Sequence, residues 1–431
     1  MASEWLTLRA EQFCVSVRDG THDSPKAVED GRFLVTSRHI TGGQLDLGHA
    51  YLISHEEFDA INRRSKVDQW DVLISMIGTV GELCLIKEDP NFAIKNIGLF
   101  KTKGEVEGKW LYYYLKSPDA QQLIHEYARG TTQQYIPLGA LRDFPIVLPA
   151  DYEEMRLITY ILGTLDDKIE LNRRMNETLE AIARALFKSW FIDFDPVRAK
   201  AEGRDTGLPK PLADLFPDSF EDSDLGEIPK GWRLETLTSV ASLNPESWAK
   251  DTRPEIIEYV DLSSTKWGRI DEIMRYKQEA APSRAQRVLR PGDTIVGTVR
   301  PGNGSYALVS DDGLTGSTGF AVLRPLRPDY GAFVYLAATS TDNIERLSHL
   351  ADGAAYPAVR AEVVLATQVI KPAEHVTETF SHVVGALLAK LAENERESLT
   401  LVVVRDTLLP KLISGELRVK QAERMIENAG C

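Results

Sequence analysis

The chain has 431 residues, of which 43% are hydrophobic and 26% charged, and its formal net charge at pH 7 is −14. This length predicts two or three domains, and the composition is that of an ordinary soluble protein. The negative charge argues against a free-standing DNA-binding protein, because neutralising phosphates normally requires a basic surplus. No apolar run approaches the roughly 18 residues that cross a bilayer, so we expect a cytoplasmic protein.

Residues 1–150 predict a globular domain built mainly of strands. Short apolar runs beginning at Arg32, Val72 and Leu83 are bounded by Gly, Asp and Pro, which is typical of strands and turns. One helix is predicted inside this domain, over residues 110–128, because apolar residues recur there at helical spacing.

The remaining chain predicts a second domain between two long helices. Apolar residues in steps of three and four predict a helix over residues 151–194, and Pro, Gly and Asp then predict a linker over 195–228. Residues 229–372 predict a second strand-rich domain with one embedded helix at 333–350. The second long helix is predicted over 373–419, and residues 420–431 are expected to form a polar tail.

The second half of the chain repeats the first at an offset of 222 residues. The repeat is clearest on the two helices, where Gly163, Lys168, Asn172, Leu179 and Leu186 return as Gly385, Lys390, Asn394, Leu401 and Leu408. Such a long period indicates a domain duplication rather than a solenoid, so an internal two-fold is expected.

The matched apolar seams favour two long helices that bury each other. We therefore predict an α+β fold in which two mixed α/β domains are separated by an antiparallel coiled coil with an internal pseudo-two-fold. The alternative is that each helix packs only on its own domain. The predicted packing residues are Leu165, Ile169, Asn172, Leu179, Leu186, Trp190, Leu387, Leu391, Asn394, Leu401, Leu408 and Leu412.

The sequence contains no recognisable catalytic or metal-binding motif. It lacks a phosphate-binding G-x-x-x-x-G-K-[ST] loop, and Asp89-Pro-Asn-Phe lacks the second proline of an amino-methyltransferase motif. Its three cysteines are far apart, and its histidines show no ligand spacing. We therefore expect neither catalytic residues, nor a metal, nor a cofactor in this chain.

The loops offer a different kind of candidate site. Tight glycine turns follow the predicted buried strands at Val72 and Asp293, where the backbone can approach a ligand closely. The Gln133 and Gln134 side chains could form bidentate hydrogen bonds to adenine, and Arg300 could do so to guanine. The segment from Lys266 to Arg300 contains eight Lys or Arg residues and four Asp or Glu residues. This local positive surplus indicates either a basic DNA-binding element or an ordinary solvated surface. The candidate DNA contacts are Thr21, His22, Thr79, Thr132, Gln133, Gln134, Tyr135, Lys266, Arg269, Arg300, Asn303, Ser305 and Tyr356.

Over essentially its whole length the sequence resembles the specificity subunits of type I restriction-modification enzymes. Residues 161–204 resemble the family's central conserved region, and VRDTLLPKLISGELRV, which begins at Val404, resembles its C-terminal one. The segments at Trp5 and Ile228 stand where the family begins its two target-recognition domains.

The resemblance implies a non-catalytic subunit in which each globular domain reads one half of a bipartite, asymmetric site in double-stranded DNA. It implies two methyltransferase subunits and two restriction and translocation subunits as partners. S-adenosylmethionine, ATP and Mg are then expected in those partners. An assembly scaffold or regulatory relative without DNA readout is the alternative, and a stand-alone enzyme is a third.

Overall fold

The structure, a computed structural model, describes residues 5–130, 133–224, 226–249, 252–353 and 355–428. It divides into two compact units. The first unit contains the residues up to Leu171 and those from Glu397 onward, and the second contains Asn172–Arg396. Among the described residues, no helix is long and apolar enough to span a membrane.

The described part of the first unit's globular region consists of short strands and five α-helices. The strands are β1 (Trp5–Arg9), β2 (Ser16–Asp19), β3 (Arg32–Thr36), β4 (Ile40–Thr41), β5 (Gln44–Leu45), β6 (Tyr51–Ile53), β7 (Val72–Ser75), β8 (Leu83–Leu85), β9 (Phe92–Lys95), β10 (Ile97–Lys101) and β11 (Pro145–Pro149). The helices are α1 (Ala10–Phe13), α2 (His55–Ser65), α3 (Glu105–Lys116), α4 (Pro118–Tyr127) and α5 (Leu138–Asp143).

Two sheets form the core of this region. Strands β2, β10, β7 and β8 form an antiparallel sheet in that order, while β6, β3 and β9 form a smaller sheet in which β3 and β9 run parallel. Strand β7 is buried along its whole length, as expected for an uninterrupted apolar run. Helix α3 contacts β7 and β8 and buries Trp110, whose indole nitrogen donates to the Val147 carbonyl oxygen.

The long helix α6 (Tyr152–Phe191) follows, and then the second globular region and a second long helix. The helices are α7 (Asp195–Ala201), α8 (Lys210–Ala213), α9 (Gly331–Ala338), α10 (Thr341–His349), α11 (Ala361–Leu365), α12 (Glu374–Ile413) and α13 (Val419–Asn428). The strands are β12 (Phe220–Ser223), β13 (Gly226–Pro229), β14 (Arg233–Thr236), β15 (Ala241–Leu243), β16 (Ile256–Val260), β17 (Thr265–Lys266), β18 (Arg269–Ile270), β19 (Met274–Lys277), β20 (Ala285–Val288), β21 (Thr294–Gly297), β22 (Tyr306–Leu308), β23 (Leu314–Ser317), β24 (Phe320–Pro325) and β25 (Gln368–Lys371).

The second globular region repeats the sheet order of the first. Strands β15, β24, β21 and β22 correspond to β2, β10, β7 and β8, and the parallel pair β16 and β23 corresponds to β3 and β9. A buried ion pair is repeated as well. Asp71 lies 2.9 Å from Lys101, and Asp293 lies 2.8 Å from Arg324. The chain is therefore a structural duplication, as the sequence repeat predicts.

The two long helices pair antiparallel within each unit. In the first unit Arg405 forms an ion pair with Asp166 at 2.7 Å, and Glu397 pairs with Lys168 at 3.1 Å. In the second unit the Asn176 side chain donates to the Leu391 carbonyl oxygen at 3.2 Å. Residue numbers on α12 thus fall as those on α6 rise, which confirms the predicted antiparallel pairing.

Several local predictions are wrong. Each helix predicted inside a globular domain is broken in two, because Ser117 and Ser340 cap a new helix with their side-chain oxygens. The predicted linker contains α7, whose Val197 is buried, and the predicted polar tail forms α13, whose Ala422 is buried. In both segments a few apolar residues suffice to pack a short element onto a larger core.

Candidate nucleic-acid interface

Each unit brings two loops together at the end of a buried central strand. In the first unit the loop after β7 meets the loop after α4, because the Gly78 amide donates to the Gln134 carbonyl oxygen at 3.2 Å. In the second unit the Arg300 amide donates to the Pro357 carbonyl oxygen at 2.7 Å. We call these the first and second loop pairs. Their described residues are 76–81 with 129–130 and 133–136, and 298–305 with 352–353 and 355–359.

The two loop pairs share a further backbone hydrogen bond. Ile136 donates to the Met76 carbonyl oxygen at 2.9 Å, and Val359 donates to that of Thr298 at 2.9 Å. A glycine is required in each pair: Gly130 has a φ of 95°, and a Cβ there would lie 2.4 Å from the Gln133 carbonyl oxygen. Gly353 has a φ of 121° in the second pair.

The first loop pair exposes short polar groups and one aromatic ring. Thr79, Gln133, Gln134 and Tyr135 are all exposed, and Tyr135 presents 44% of its surface. Thr132 lies outside the described residues. The structure therefore brings four of the predicted DNA contacts together on the first loop pair.

Thr21 and His22 lie at the same edge of the sheet. Strand β10 begins opposite the ends of both β2 and β7, with Gly98 facing Asp19 and Ile97 facing Ser75. The exposed His22 ring is held with one nitrogen 3.0 Å from the buried Asp19 carboxylate and the other 2.7 Å from the Asn96 side-chain oxygen. Thr21 is half-buried, and its hydroxyl accepts from the Asp23 amide. The ring is thus oriented before any ligand arrives.

Arg300 and Tyr356 meet on the second loop pair. The guanidinium lies 4.9 Å from the centre of the Tyr356 ring and donates to the Ala355 carbonyl oxygen at 2.7 Å. Both side chains are exposed, Tyr356 to 72%. The cation–π contact and the hydrogen bond restrict the rotamer of Arg300, and they leave other N–H donors of its guanidinium available to a ligand.

Trp267 is a surface feature that sequence reasoning missed. It stands in the turn between β17 and β18, between the exposed Lys266 and Arg269, and is itself 57% exposed. Its amide donates to the Gly304 carbonyl oxygen at 2.7 Å, and a Cβ on Gly304 would lie 2.6 Å from its ring. This contact joins the β17–β18 hairpin to the second loop pair. In the sequence, a tryptophan close to two cations could have marked Trp267 as a candidate DNA contact.

Asn303 and Ser305 have different environments in the same loop. Asn303 is exposed, whereas Ser305 is buried and its hydroxyl donates to the Leu262 carbonyl oxygen at 3.0 Å. Ser305 therefore holds the loop on the preceding 3₁₀ turn, and we withdraw it from the candidate contacts.

The run of cations between Lys266 and Arg300 does not form one patch. Arg290 precedes β21, whereas Arg300 follows it, and Arg290 pairs with Glu246 at 3.1 Å and Asp312 at 3.3 Å. Arg284 pairs with Asp261 at 3.3 Å. Of these eight cations, only Lys266, Arg269 and Arg300 belong to the second loop pair and the β17–β18 hairpin. The others are close in sequence but lie on other strands or turns.

In each globular region a short hairpin packs against an equivalent tyrosine. Gly43 lies in the turn of the β4–β5 hairpin, and Gly268 lies in that of the β17–β18 hairpin. A Cβ on Gly43 would lie 2.7 Å from the Tyr112 hydroxyl, and one on Gly268 would lie 2.9 Å from the Tyr335 hydroxyl. The second hairpin also lies near acidic side chains of the long helices. Burial raises the pKa of Glu395 to about 7, while Arg269 opposes that shift.

Two of the predicted packing residues contact each other across the long helices. Asn172 and Asn394 are buried, and the Asn172 side chain donates to the Asn394 carbonyl oxygen at 3.3 Å. The remaining members of that set divide into buried and half-buried side chains. Leu165, Trp190, Leu401, Leu408 and Leu412 are buried, and Ile169, Leu179, Leu186, Leu387 and Leu391 are half-buried.

The described residues contain no group of three His, Cys, Asp or Glu that could hold a metal ion. Cys14 and Cys84 are buried free thiols whose pKa is raised to about 12 by burial.

Comparison with known proteins identifies similar chains. Residues 45–181 match the family model described as the type I restriction modification DNA specificity domain. The chain is 25% identical to the type I restriction enzyme MjaIX specificity subunit of Methanocaldococcus jannaschii, over 81% of this chain and 78% of that one. It is 26% identical to the HindI specificity subunit of Haemophilus influenzae, over 69% and 74%.

The fold also matches a solved structure. The crystal structure of the type I restriction-modification S subunit from M. genitalium aligns with a TM-score of 0.58 and 16% identity, covering 95% of this chain and 96% of that one. At this identity the likeness concerns the fold alone, which agrees with the duplicated arrangement above. The chain is thus similar over most of its length to type I restriction-modification specificity subunits, and residues 45–181 match the DNA specificity domain of that family.

Proposed function

We propose that this chain is the DNA sequence-recognition subunit of a type I restriction-modification complex. Each globular region reads one half of a bipartite, asymmetric site in double-stranded DNA. The match to the DNA specificity domain supports the general role, and the two loop pairs support the division into half-sites. The chain itself carries out no covalent chemistry.

The observation that carries this proposal is a shared backbone with different exposed side chains. Gly78 and Arg300 make equivalent amide hydrogen bonds, and so do Ile136 and Val359. The exposed groups differ, however: they include Thr79, Arg129, Gln133, Gln134 and Tyr135 in the first loop pair, and Arg300, Asn303 and Tyr356 in the second, beside Trp267 on the β17–β18 hairpin. A conserved frame with unlike side chains suits two readers of unlike sequences.

Base chemistry gives each loop pair a preference. Gln133 and Gln134 present side-chain amides, which pair bidentately with the N6 and N7 atoms of adenine in the major groove. Arg300 presents a guanidinium, which pairs bidentately with O6 and N7 of guanine. The exposed Trp267 and Tyr356 rings add apolar contact for thymine methyl groups or sugars. The two half-sites therefore differ in the base types that they require.

The net charge of −14 indicates that this chain does not hold DNA alone. Phosphate contacts supply most of the affinity of a DNA-binding protein, whereas contacts to base edges supply its specificity. Few cations are available on the second loop pair and the β17–β18 hairpin, namely Lys266, Arg269 and Arg300. Partner subunits that share the DNA supply the remaining positive charge.

The paired helices set the distance between the half-sites and dock two methyltransferase subunits. Those partners bind S-adenosylmethionine, flip the target adenine out of the duplex and methylate it. Two restriction and translocation subunits use ATP and Mg in the complete complex. In this scheme the helices are a spacer because the phase of the duplex changes with every base pair.

A gel shift with the co-expressed methyltransferase subunit tests the proposal. The complex should bind one genomic fragment in preference to a fragment of equal length with either half-site scrambled, and the purified chain alone should bind neither tightly. Equal binding to all fragments would favour an assembly scaffold. Methyl transfer or DNA cleavage by the chain alone would make it an enzyme.

A further inference from the structure

The second unit contains a cleft of about 550 Å³ that no part of the proposed DNA-reading surface uses. It lies between the C-terminal end of α6, helices α9 and α10, and strand β25. Its floor is aromatic: the Phe187 and Phe191 rings lie 5.7 and 5.1 Å from the Phe333 ring. Such a concave, ring-lined surface is the usual form of a binding site.

The first unit fills the corresponding place with its own side chains. The register is fixed by the equivalent capping serines, Ser117 and Ser340, so that Tyr114 corresponds to Ala337. Tyr114 is buried, and its hydroxyl donates to the Pro145 carbonyl oxygen at 2.9 Å. In the second unit Ala337 leaves out the phenol ring, and the small Thr367 stands where the first unit has Phe144.

One wall of the cleft carries a cation without a carboxylate partner. Arg346 donates to the Asn343 side-chain oxygen at 2.8 Å and to the Thr367 hydroxyl at 2.9 Å. Among the described residues it forms no ion pair, and its second terminal nitrogen makes no hydrogen bond. Burial lowers the pKa of its guanidinium, and the exposed Asp342, which also lines the cleft, forms no ion pair with it. A half-buried cation of this kind suits an incoming carboxylate.

We propose that this cleft receives an aromatic side chain, with a carboxylate beside it, from the docked methyltransferase subunit. The ring takes the place that Tyr114 fills in the first unit, and the carboxylate pairs with Arg346. The inference rests on the proposed function, because α6 supplies both the floor of the cleft and part of the proposed docking surface. Ile192 at the rim is 43% exposed and extends that apolar surface.

The inference makes the two halves of the chain unequal as docking sites. Where the second half presents an open, aromatic-floored cleft, the first half presents the closed surface made by Tyr114, Phe144 and Leu123. The two methyltransferase subunits then bind with different affinities, and the second half provides the tighter site.

The test fills the cleft from within by Ala337→Tyr and measures methyltransferase binding to the full chain by calorimetry. The wild type should show two binding events of different affinity. In the variant the tighter event should weaken at least tenfold while the weaker one is unchanged. Thr341→Tyr, which adds the same ring at an exposed position of α10, is the matched control and should bind as the wild type does.

Arg346→Met is the second variant, because it removes the cation and leaves the cleft open. It should weaken the tighter event at least tenfold as well. Wild-type affinities in both Ala337→Tyr and Arg346→Met would overturn the cleft assignment and leave the proposed function intact. Failure of the wild-type chain to bind any methyltransferase subunit would overturn the proposed function, and the cleft assignment with it.

Discussion

Asn172 and Asn394 occupy the same position in the two copies of the repeat, and they contact each other. The Asn172 side chain donates to the Asn394 carbonyl oxygen at 3.3 Å, and the Asn394 side chain donates to the Asn176 side-chain oxygen at 2.9 Å. Equivalent residues of two antiparallel helices meet only at a point of local two-fold symmetry. Both asparagines are buried, so this polar contact lies in an otherwise apolar seam and favours one register.

Replacing both asparagines by leucine should make the chain more stable and its helix register less specific. Burying two amides has a cost that leucine avoids, so we expect the free energy of unfolding to rise by about 1–2 kcal/mol. Urea denaturation measures that change, and methylation-site sequencing should then detect more than one spacer length. Leu171→Ala on the exposed face is the control. A loss of stability in the double variant would show that the hydrogen bonds outweigh the cost of burial.

Lengthening both helices together should lengthen the unread gap in the DNA site. Four residues inserted after Asn176 and four at the facing position near Leu391 add about 6 Å of helix, enough for about one to two base pairs. The methylated motif, read from genomic DNA, reports the gap directly. The same insertion in α6 alone should abolish recognition, because the facing seams no longer match. An unchanged gap after the paired insertion contradicts the spacer role.

Removing the Arg300 side chain should relax recognition at one or two base pairs of the second half-site. Loss of a bidentate pair to guanine costs about 1–3 kcal/mol at that position. Arg300 has a φ of 48°, so Arg300→Gly belongs beside Arg300→Ala to separate lost contact from backbone strain. Gel shifts with every single base substitution make the measurement.

Arg275→Ala is the matched control for Arg300, because Arg275 is an exposed arginine on β19, away from the second loop pair. It should leave the base preference unchanged. If the Arg300 variants lose affinity equally on all sequences, then Arg300 contacts phosphate.

Glu395 should make the second unit less stable as the pH rises. Burial raises the pKa of this carboxyl from 4.5 to about 7, with Glu180, Asp271 and Asp311 adding to the effect and Arg269 opposing it. Between those values the unfolded chain releases a proton that the folded chain retains, so the free energy of unfolding falls with rising pH until about 7 and is then constant.

Glu395→Gln removes that penalty. The variant should exceed the wild type in unfolding free energy by about 1–3 kcal/mol at pH 8 and by less at pH 5.5. Urea denaturation at the two pH values checks the difference, with the exposed Glu393→Gln on the same helix as control. An equal effect of Glu395→Gln at both pH values would mean that ionisation of the Glu395 carboxyl does not cause the pH dependence of the unfolding free energy.

The sequence predicts the frame of this fold well because the frame depends on periodic apolar residues. The helical seam at Leu165 and Leu408 and the buried strand at Val72 are local patterns, and the repeat makes each pattern visible twice. Helix breaks were missed because an apolar pattern continues across Ser117, while the capping hydrogen bond that ends it depends on a single side chain.

The site was predicted only in part, since its surface is assembled from segments distant in sequence. Trp267 is placed by its contact with Gly304, and nothing near Trp267 in the sequence specifies that contact. Arg290 was grouped with Arg300 by proximity, although a whole strand separates them. The cleft beside Arg346 depends on the absence of a ring at Ala337, which only comparison with Tyr114 makes apparent.

The most direct test of the central claim is single-molecule sequencing of adenine methylation in a host that expresses this chain with its methyltransferase subunit. We expect one motif of two unlike halves separated by a fixed unread gap. Gln133→Ala with Gln134→Ala should change only one half of that motif, and Arg300→Ala only the other. A single uninterrupted motif, or changes in both halves from either variant, would contradict the assignment of one half-site to each globular region.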